Sequence, residues 1–273
     1  MLNGTGVIGS DLLLTDPNFR PVPPPAKQLG LPGSLPWLDT QNRDAVEEFY
    51  RVDYLSSENM ANGWTGNHST CNPGTTTAAF DDAILRRINY FRAMSGIPAV
   101  KSFLPEYSQK AQATALMMSV NGRLSHTPDN TWVCYSTDGA AGAGSSDISL
   151  GVFGPAAISN YILDPGSANY PVGHRRWILY PQTQHMGTGD IPSASGKSPS
   201  NALWVIDADN IWGVRPATRD IFVAWPPRGY VPRQLVFSRW SFSYPLADFS
   251  TTSVSIARNG NAVGVSVSPV LNG

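Results

Sequence analysis

The sequence predicts an α+β protein, with helices early in the chain and strands later. Between about 77 and 121, apolar residues recur every three or four positions, which is the helical period. Beyond 177 they come in short aromatic and β-branched runs bounded by Gly, Pro and Asn, which is the pattern of strands. The two kinds of element are segregated rather than alternating, which disfavours a parallel βαβ sheet.

Residues 16–40 hold seven prolines, including Pro23-Pro24-Pro25. Successive prolines fix φ and remove backbone donors, so an extended arm is predicted over 1–41. Asn42 to Tyr54 is charged and predicts a short lead-in helix. Phe80, Ile84, Ile88 and Phe91 form one stripe on a helix from about Thr77 to Ser95. Thr76 or Thr77 caps it, Asp81 and Asp82 suit its positive end, and Gly96 and Pro98 stop it. A second helix runs from Pro105 to Asn121, burying Leu104, Tyr107, Ala111, Ala115 and Met118, with Gly122 as terminator. A third is predicted from Pro155 to Leu163.

Strands are predicted at Trp177–Tyr180, Ala202–Ile206 and Ile221–Trp225. Trp177, Trp204 and Trp225 are expected in the core. These elements make up a main domain over 42–226. After Pro226-Pro227, Val254 and Ile256 alternate with polar residues, as do Val263, Val265 and Val267, around the hairpin dipeptide Asn259-Gly260. A small β-rich module is therefore expected over 227–273. It has too few strands to close a sandwich, so it is either truncated or pairs elsewhere, and self-assembly through the terminal segments is one outcome.

Composition narrows the function. Charged residues are only 14%, beside 25 glycines and 23 prolines, so a loop-rich and weakly charged surface is expected. A net charge of −1 provides no attraction to nucleic acid or an anionic membrane. No apolar run approaches the roughly 20 residues of a transmembrane helix. Met1 to Leu14 lacks a basic region and is interrupted by Asp11, so no signal peptide is expected within this chain. Cys71 and Cys134 are flanked by loop-like residues. They are read as one disulfide closing a long loop in an oxidising compartment, against the alternative of two free, partly buried thiols.

Candidate chemistry rests on four histidines: His68, His126, His174 and His185. His126 follows the second helix in Leu124-Ser125-His126-Thr127-Pro128. His174 lies in Gly173-His174-Arg175-Arg176-Trp177. His185 has no partner at metal-ligand spacing and is expected at the surface or a strand turn. Asn67-His68-Ser69 fits a glycosylation pattern, which recurs often by chance. Gly196-Lys197-Ser198 resembles the end of a phosphate loop, but Ile191 stands where that loop needs its first glycine. No Gly-x-Ser-x-Gly occurs. Arg175 and Arg176 could hold an anion or cover a sheet edge.

Arg87-Ile88-Asn89-Tyr90-Phe91-Arg92, the histidine after the next helix and the Gly-His-Arg-Arg-Trp segment stand in the order and spacing of bacterial CAP domains. That is the superfamily of cysteine-rich secretory, antigen 5 and pathogenesis-related-1 (SCP) proteins. The chain resembles this family over about Thr77 to Trp225. The resemblance implies an α–β–α sandwich with an open, solvent-facing cleft lined by two histidines and two glutamates. His126 and His174 match the histidines. Asp164 falls at one glutamate, shortened by a methylene. Ser146 stands at the other, with Asp147 beside it.

Two neutral imidazoles with a carboxylate could bind zinc with an open position, and loss of a carboxylate weakens such a site. Alternatively, these groups only hydrogen-bond one another and pin loops to the sheet. Three functions follow as expectations. The first is a secreted, non-enzymatic binding module for an extracellular protein, lipid or surface ligand, with His126 and His174 able to hold a divalent metal. The second is a metal-assisted hydrolase. The third is a structural subunit of an extracellular assembly.

Overall fold

The computed structural model describes residues 7–8, 37–194, 196–245 and 247–268. Most of the arm expected over 1–41 lies outside these residues. Asn42 accepts hydrogen bonds from Asp44 N and Ala45 N and so caps α1 (Arg43–Phe49). The chain continues as a π turn over Tyr50–Tyr54 and a 3₁₀ turn over Leu55–Ser57. Thr77 caps α2 (Ala78–Met94) by accepting from Phe80 N at 3.2 Å. The predicted stripe of Phe80, Ile84, Ile88 and Phe91 is buried, and each such side chain contributes roughly 1.5–3 kcal/mol. Pro105 opens α3 (Pro105–Asn121), and Gly122 closes it at φ 62°.

Three further helices follow: α4 (Thr137–Ala143), α5 (Pro155–Leu163) and α6 (Gly173–Ile178). The strand expected at Trp177–Tyr180 is not one, because α6 and its cap occupy those residues. Trp177, Ile178 and Leu179 are all buried, and a short run that is apolar on every side carries no period to tell helix from strand.

Among the described residues the central sheet has five strands: β1 (Val7–Ile8), β2 (Ser102–Phe103), β3 (Ser146–Leu150), β4 (His185–Ile191) and β5 (Ser200–Trp204). Their order is β1-β3-β5-β4-β2, with β2 parallel to β4 and the other pairs antiparallel. Alternation along the strands gives each face its own core. Ile148, Ile191, Ala202 and Trp204 pack with Tyr107, Ala111 and Ala115 of α3. Met186 and Leu203 pack with α2, α5 and α6 on the other side. The architecture is the expected α–β–α sandwich within an α+β fold.

Helix α3 lies unusually close to β4. A Cβ on Gly189 would stand 2.2 Å from the Ala111 carbonyl carbon, and one on Gly187 would stand 2.5 Å from Ser108 N. Glycine on the strand and alanine on the helix permit this backbone-on-backbone approach.

Among the described residues three arginines, Arg87, Arg92 and Arg175, are buried and satisfied largely by backbone carbonyls and hydroxyls. Arg92 donates to the carbonyls of Pro98, Ile178, Tyr180 and Thr183 at 2.7–3.0 Å. Burial lowers its pKa to about 9. Arg87 donates to Ser57, Ser159 and two carbonyls. Cys71 and Cys134 form the disulfide, with Cα atoms 5.1 Å apart.

The sequence places a boundary at 227, but packing continues across that point. Strand β6 (Val223–Trp225) pairs antiparallel with β7 (Ser241–Ser243) rather than with the central sheet. Leu235 and Phe237 belong to the same core as α2, and Trp225 Nε1 donates to Leu235 O at 3.1 Å. The hairpin of β8 (Ile256–Arg258) and β9 (Asn261–Val263) turns at Asn259-Gly260 as expected. Most of its side chains are exposed.

Candidate functional site

Helix α5 ends at Asp164, whose φ of 51° turns the chain sharply. An aspartate tolerates this left-handed conformation better than most residues. The turn aims its carboxylate at α6, where Oδ1 accepts a hydrogen bond from His174 Nδ1 at 2.8 Å. Oδ2 receives a longer one, 3.4 Å, from Arg175 N. Tyr161, one turn earlier, stacks on the His174 ring with centroids 5.6 Å apart and 17° between planes. The imidazole is thus fixed by a carboxylate at its edge and an aromatic ring on its face.

His126 is fastened differently. Its Nδ1 lies 2.7 Å from Ala143 O, at the end of α4. A carbonyl only accepts, so Nδ1 carries the proton, as it does in His174 beside the carboxylate. In the neutral form both rings therefore bear their lone pair on Nε2.

Ser146 and Asp147 are consecutive on β3 and face opposite ways. Ser146 pairs with Trp204 and shares its side toward α3, whereas Asp147 pairs with Leu203 and shares its side toward α2 and α5. Asp147, not Ser146, therefore stands in the layer that holds Tyr161 and His174. Tyr161 directs its one hydroxyl proton to Asn201 Oδ1 at 2.8 Å, with Asp147 O 3.2 Å from the same hydroxyl oxygen.

That network continues inward to Asp190. Asn201 Nδ2 donates to Asp190 Oδ1 at 2.9 Å, Gly154 N donates to the same oxygen at 2.5 Å, and Thr188 Oγ1 donates to Oδ2 at 2.7 Å. Full burial raises the Asp190 pKa to about 6 despite these donors. Burial likewise pushes the Tyr161 hydroxyl well up.

The cleft residues are withdrawn from solvent. His174 and Asp164 are 0% exposed and His126 is 6% exposed, while Ser146 and Asp147 are buried as well. These side chains are buried, where a solvent-open position was expected. Among the described residues, His174 Nε2 and Ser146 Oγ are buried without a hydrogen-bond partner.

The donor set does not fit a three-ligand zinc centre. No group of three His, Cys, Asp or Glu among the described residues is arranged to hold a metal ion. Asp164 is committed to His174 and Arg175, so it orients an imidazole rather than offering itself as a third ligand.

Several other residues have structural partners. Arg175 donates to the carbonyls of Ile162, Leu163 and Arg239 and to Ser241 Oγ. Arg239 donates to the carbonyls of Asp164, Gly166 and Asn169. These two arginines brace the turn that carries Asp164. His185 opens β4, with Nδ1 3.1 Å from Ser102 Oγ, and His68 Nε2 meets Ser119 Oγ at 3.1 Å. Tyr161 and Arg239 were not singled out by the sequence; the i, i+3 spacing of Tyr161 and Asp164 was the available signal for the former.

No helix among the described residues is long and apolar enough to cross a membrane. No curated protein matches the chain. Residues 85–208, from within α2 to just beyond β5, match the sequence profile of the family described as CAP: Cysteine-rich secretory protein family. By its fold, its ordered motifs and this match, the α–β–α domain of the chain belongs to the CAP family.

Proposed function

We propose that this CAP-domain protein is a secreted, non-enzymatic binding module in which His126, His174 and Asp164 serve the architecture. The observation that carries the reading is the burial of the His174–Asp164 pair at 0% exposure. A general base must reach the proton it removes, and this imidazole is enclosed. The disulfide favours an oxidising compartment. Surface suited to a partner lies elsewhere: Trp240 and Phe242, on and beside β7, are 53% and 52% exposed. Protein, lipid and surface ligands all remain within this class.

The test compares wild type with a His126→Ala, His174→Ala double variant. Hydrolysis of a simple nitrophenyl ester and of casein is followed with and without added zinc. No turnover that distinguishes the two proteins is expected. Hydrolysis present in wild type and lost in a still-folded double variant would establish the hydrolase instead. A second reading, a metal held by the two imidazoles alone, draws on their shared tautomer with the lone pair on Nε2. Zinc titration by calorimetry tests it, and heat that vanishes in the double variant would support it. Binding should then weaken as pH falls through the histidine range.

A further inference from the structure

The strand pair β6–β7 turns one face to the core and one to solvent. Trp225, on the inner face, is 0% exposed. Its neighbour Ala224 pairs with Phe242 and so lies on the outer face, because successive strand residues point to opposite sides. Phe242 belongs to a cluster of rings there, with centroids 4.9 Å from Phe222, 6.5 Å from Tyr244 and 6.1 Å from Phe249. Trp240, two residues earlier, shares its side by the strand period. Trp240, Phe242 and Tyr244 are 53%, 52% and 39% exposed. Surface apolar residues scattered singly need no explanation, but a contiguous patch marks an interaction surface.

Charge narrows what covers this face. Residues 221–227 and 240–247 include no charged side chain. Among the flanking charges, Asp220 is paired with Arg219 and Arg228, and Arg239 donates to three carbonyls. A partner held through ion pairs is therefore disfavoured. Uncharged exposed rings suit a run of prolines, whose own rings pack on aromatic ones and whose backbone is extended before it binds. Such a segment leaves its carbonyls free, and the Tyr244 hydroxyl on this face can donate to one.

The chain carries such a run, and its point of entry lies beside the patch. Pro21, Pro23, Pro24 and Pro25 fall outside the described residues, which resume at 37. Leu38 O accepts from Arg219 Nη1 at 3.1 Å, and Thr40 O accepts from Tyr230 N at 2.7 Å. The arm is thus rooted on residues that stand on either side of β6. Residues 26–36 can span roughly 36–40 Å when extended, ample to return to strands only three residues long. A tether of this kind supplies an effective concentration on the order of millimolar, so weak contacts between prolines and rings suffice.

We propose that the outer face of β6–β7 is a polyproline-binding surface whose occupant is the chain's own segment 21–25. The proposal rests on the reading of this face as the partner surface and names the chemistry of its ligand. Any external ligand of the face then competes with the arm.

The experiment measures paramagnetic broadening by NMR in the full chain. The native cysteines are joined to each other, so Ala26→Cys provides a single site for a nitroxide, with Gln28→Cys as the second choice should the first fold poorly. Amide signals of 222–224 and 240–244 should be lost to broadening and return when the nitroxide is reduced with ascorbate. A Pro23→Ala, Pro24→Ala, Pro25→Ala variant should lose that broadening, and so should Phe242→Ser, which alters a half-exposed ring. A peptide of residues 17–27 added to the triple variant should shift the same amides saturably, and its alanine counterpart should not. Unbroadened signals in the labelled wild-type sequence would overturn the proposal, as would broadening that persists in the triple variant. A mixture of isotope-labelled chain without nitroxide and unlabelled chain with it should show no broadening. Broadening there would identify the occupant as a second copy's arm and overturn docking within the chain. None of these outcomes bears on the hydrolysis assay, so failure of this proposal and failure of the binding-module reading are distinguishable.

Discussion

Two peripheral segments are fastened to the α–β–α core by different means. The loop over 61–77 is held covalently through Cys71 and Cys134, helped by Trp64 Nε1 and Gln112 Nε2, which both donate to Pro73 O. The segment over 227–245 has no covalent tie. Leu235 and Phe237 enter the core, and Arg175 and Arg239 bind carbonyls on both sides of the seam. A disulfide acts chiefly on the unfolded chain, by restricting it. The second fastening is native core, so its removal uncovers Trp225 and strips partners from a buried guanidinium. The fold therefore depends more on the uncrosslinked seam.

Truncation gives the largest expected effect. A chain ending at 227 loses two core side chains, at roughly 1.5–3 kcal/mol each. It also loses hydrogen bonds to a buried charged group, at roughly 1.5–3 kcal/mol each. Urea unfolding should show a loss of at least about 5 kcal/mol on this basis, or no cooperative transition. A chain ending at 246 should stay within about 0.5 kcal/mol of wild type, since the β8–β9 hairpin is largely exposed. Equal stability of the two truncations would erase the contrast between the seams.

Removing the disulfide ranks next. The cysteines are 63 residues apart, so a Cys71→Ala, Cys134→Ala protein should lose about 4 kcal/mol if chain entropy dominates. It should keep its native circular dichroism and show a larger denaturant slope, because the unfolded chain expands. A loss equal to that of the 227 truncation, with disordered tertiary signals, would mean that the covalent seam also supports the native core.

The smallest effect asks whether the seams are coupled. Asp190 sits between them: Gln112 bridges Pro73 O and the Asp190 backbone, while the Asp190 carboxylate holds Gly154 N at the head of α5. Because the native pKa is raised to about 6 from 3.8, the folded state holds this proton more tightly than the unfolded chain. The resulting stability is full below 3.8 and is lost as pH rises through about 6. The change is on the order of 3 kcal/mol. Asp190→Asn should flatten stability across that window. An unaltered pH profile would assign the window to another group, Asp81 being the charged neighbour to examine first.

What the sequence could disclose followed the reach of each signal. Helices α2, α3 and α5 were legible because their stripes, caps and prolines agree at every level. Strand β4 was not, since Gly187 and Gly189 remove the apolar residues that would have marked its α3 face. At the site, the motif order singled out His126, His174 and Asp164, and α5 and α6 do join the last two. The motif also put Ser146 in the place of a glutamate and left Asp147 beside it. Only the register of β3 against β5 reveals that Asp147 shares a side with Tyr161. Burial was equally hidden, because the bracing of the Asp164 turn by Arg239 spans 75 positions of sequence. The boundary drawn at 227 rested on Pro226-Pro227 and the alternating tail beyond, and neither registers that Leu235 and Phe237 fill the core around Trp225.

The approach of α3 to β4 has a consequence for redesign. One side of β4 consists of main chain alone at Gly187 and Gly189, with helix backbone directly against it. Those two positions offer a library no alternatives, whereas their neighbours Thr188 and Asp190 are chosen by chemistry rather than by room. A designer could therefore rewrite the polar network on the α5 side residue by residue, but would have to move a whole helix to alter the other side by a single methyl group.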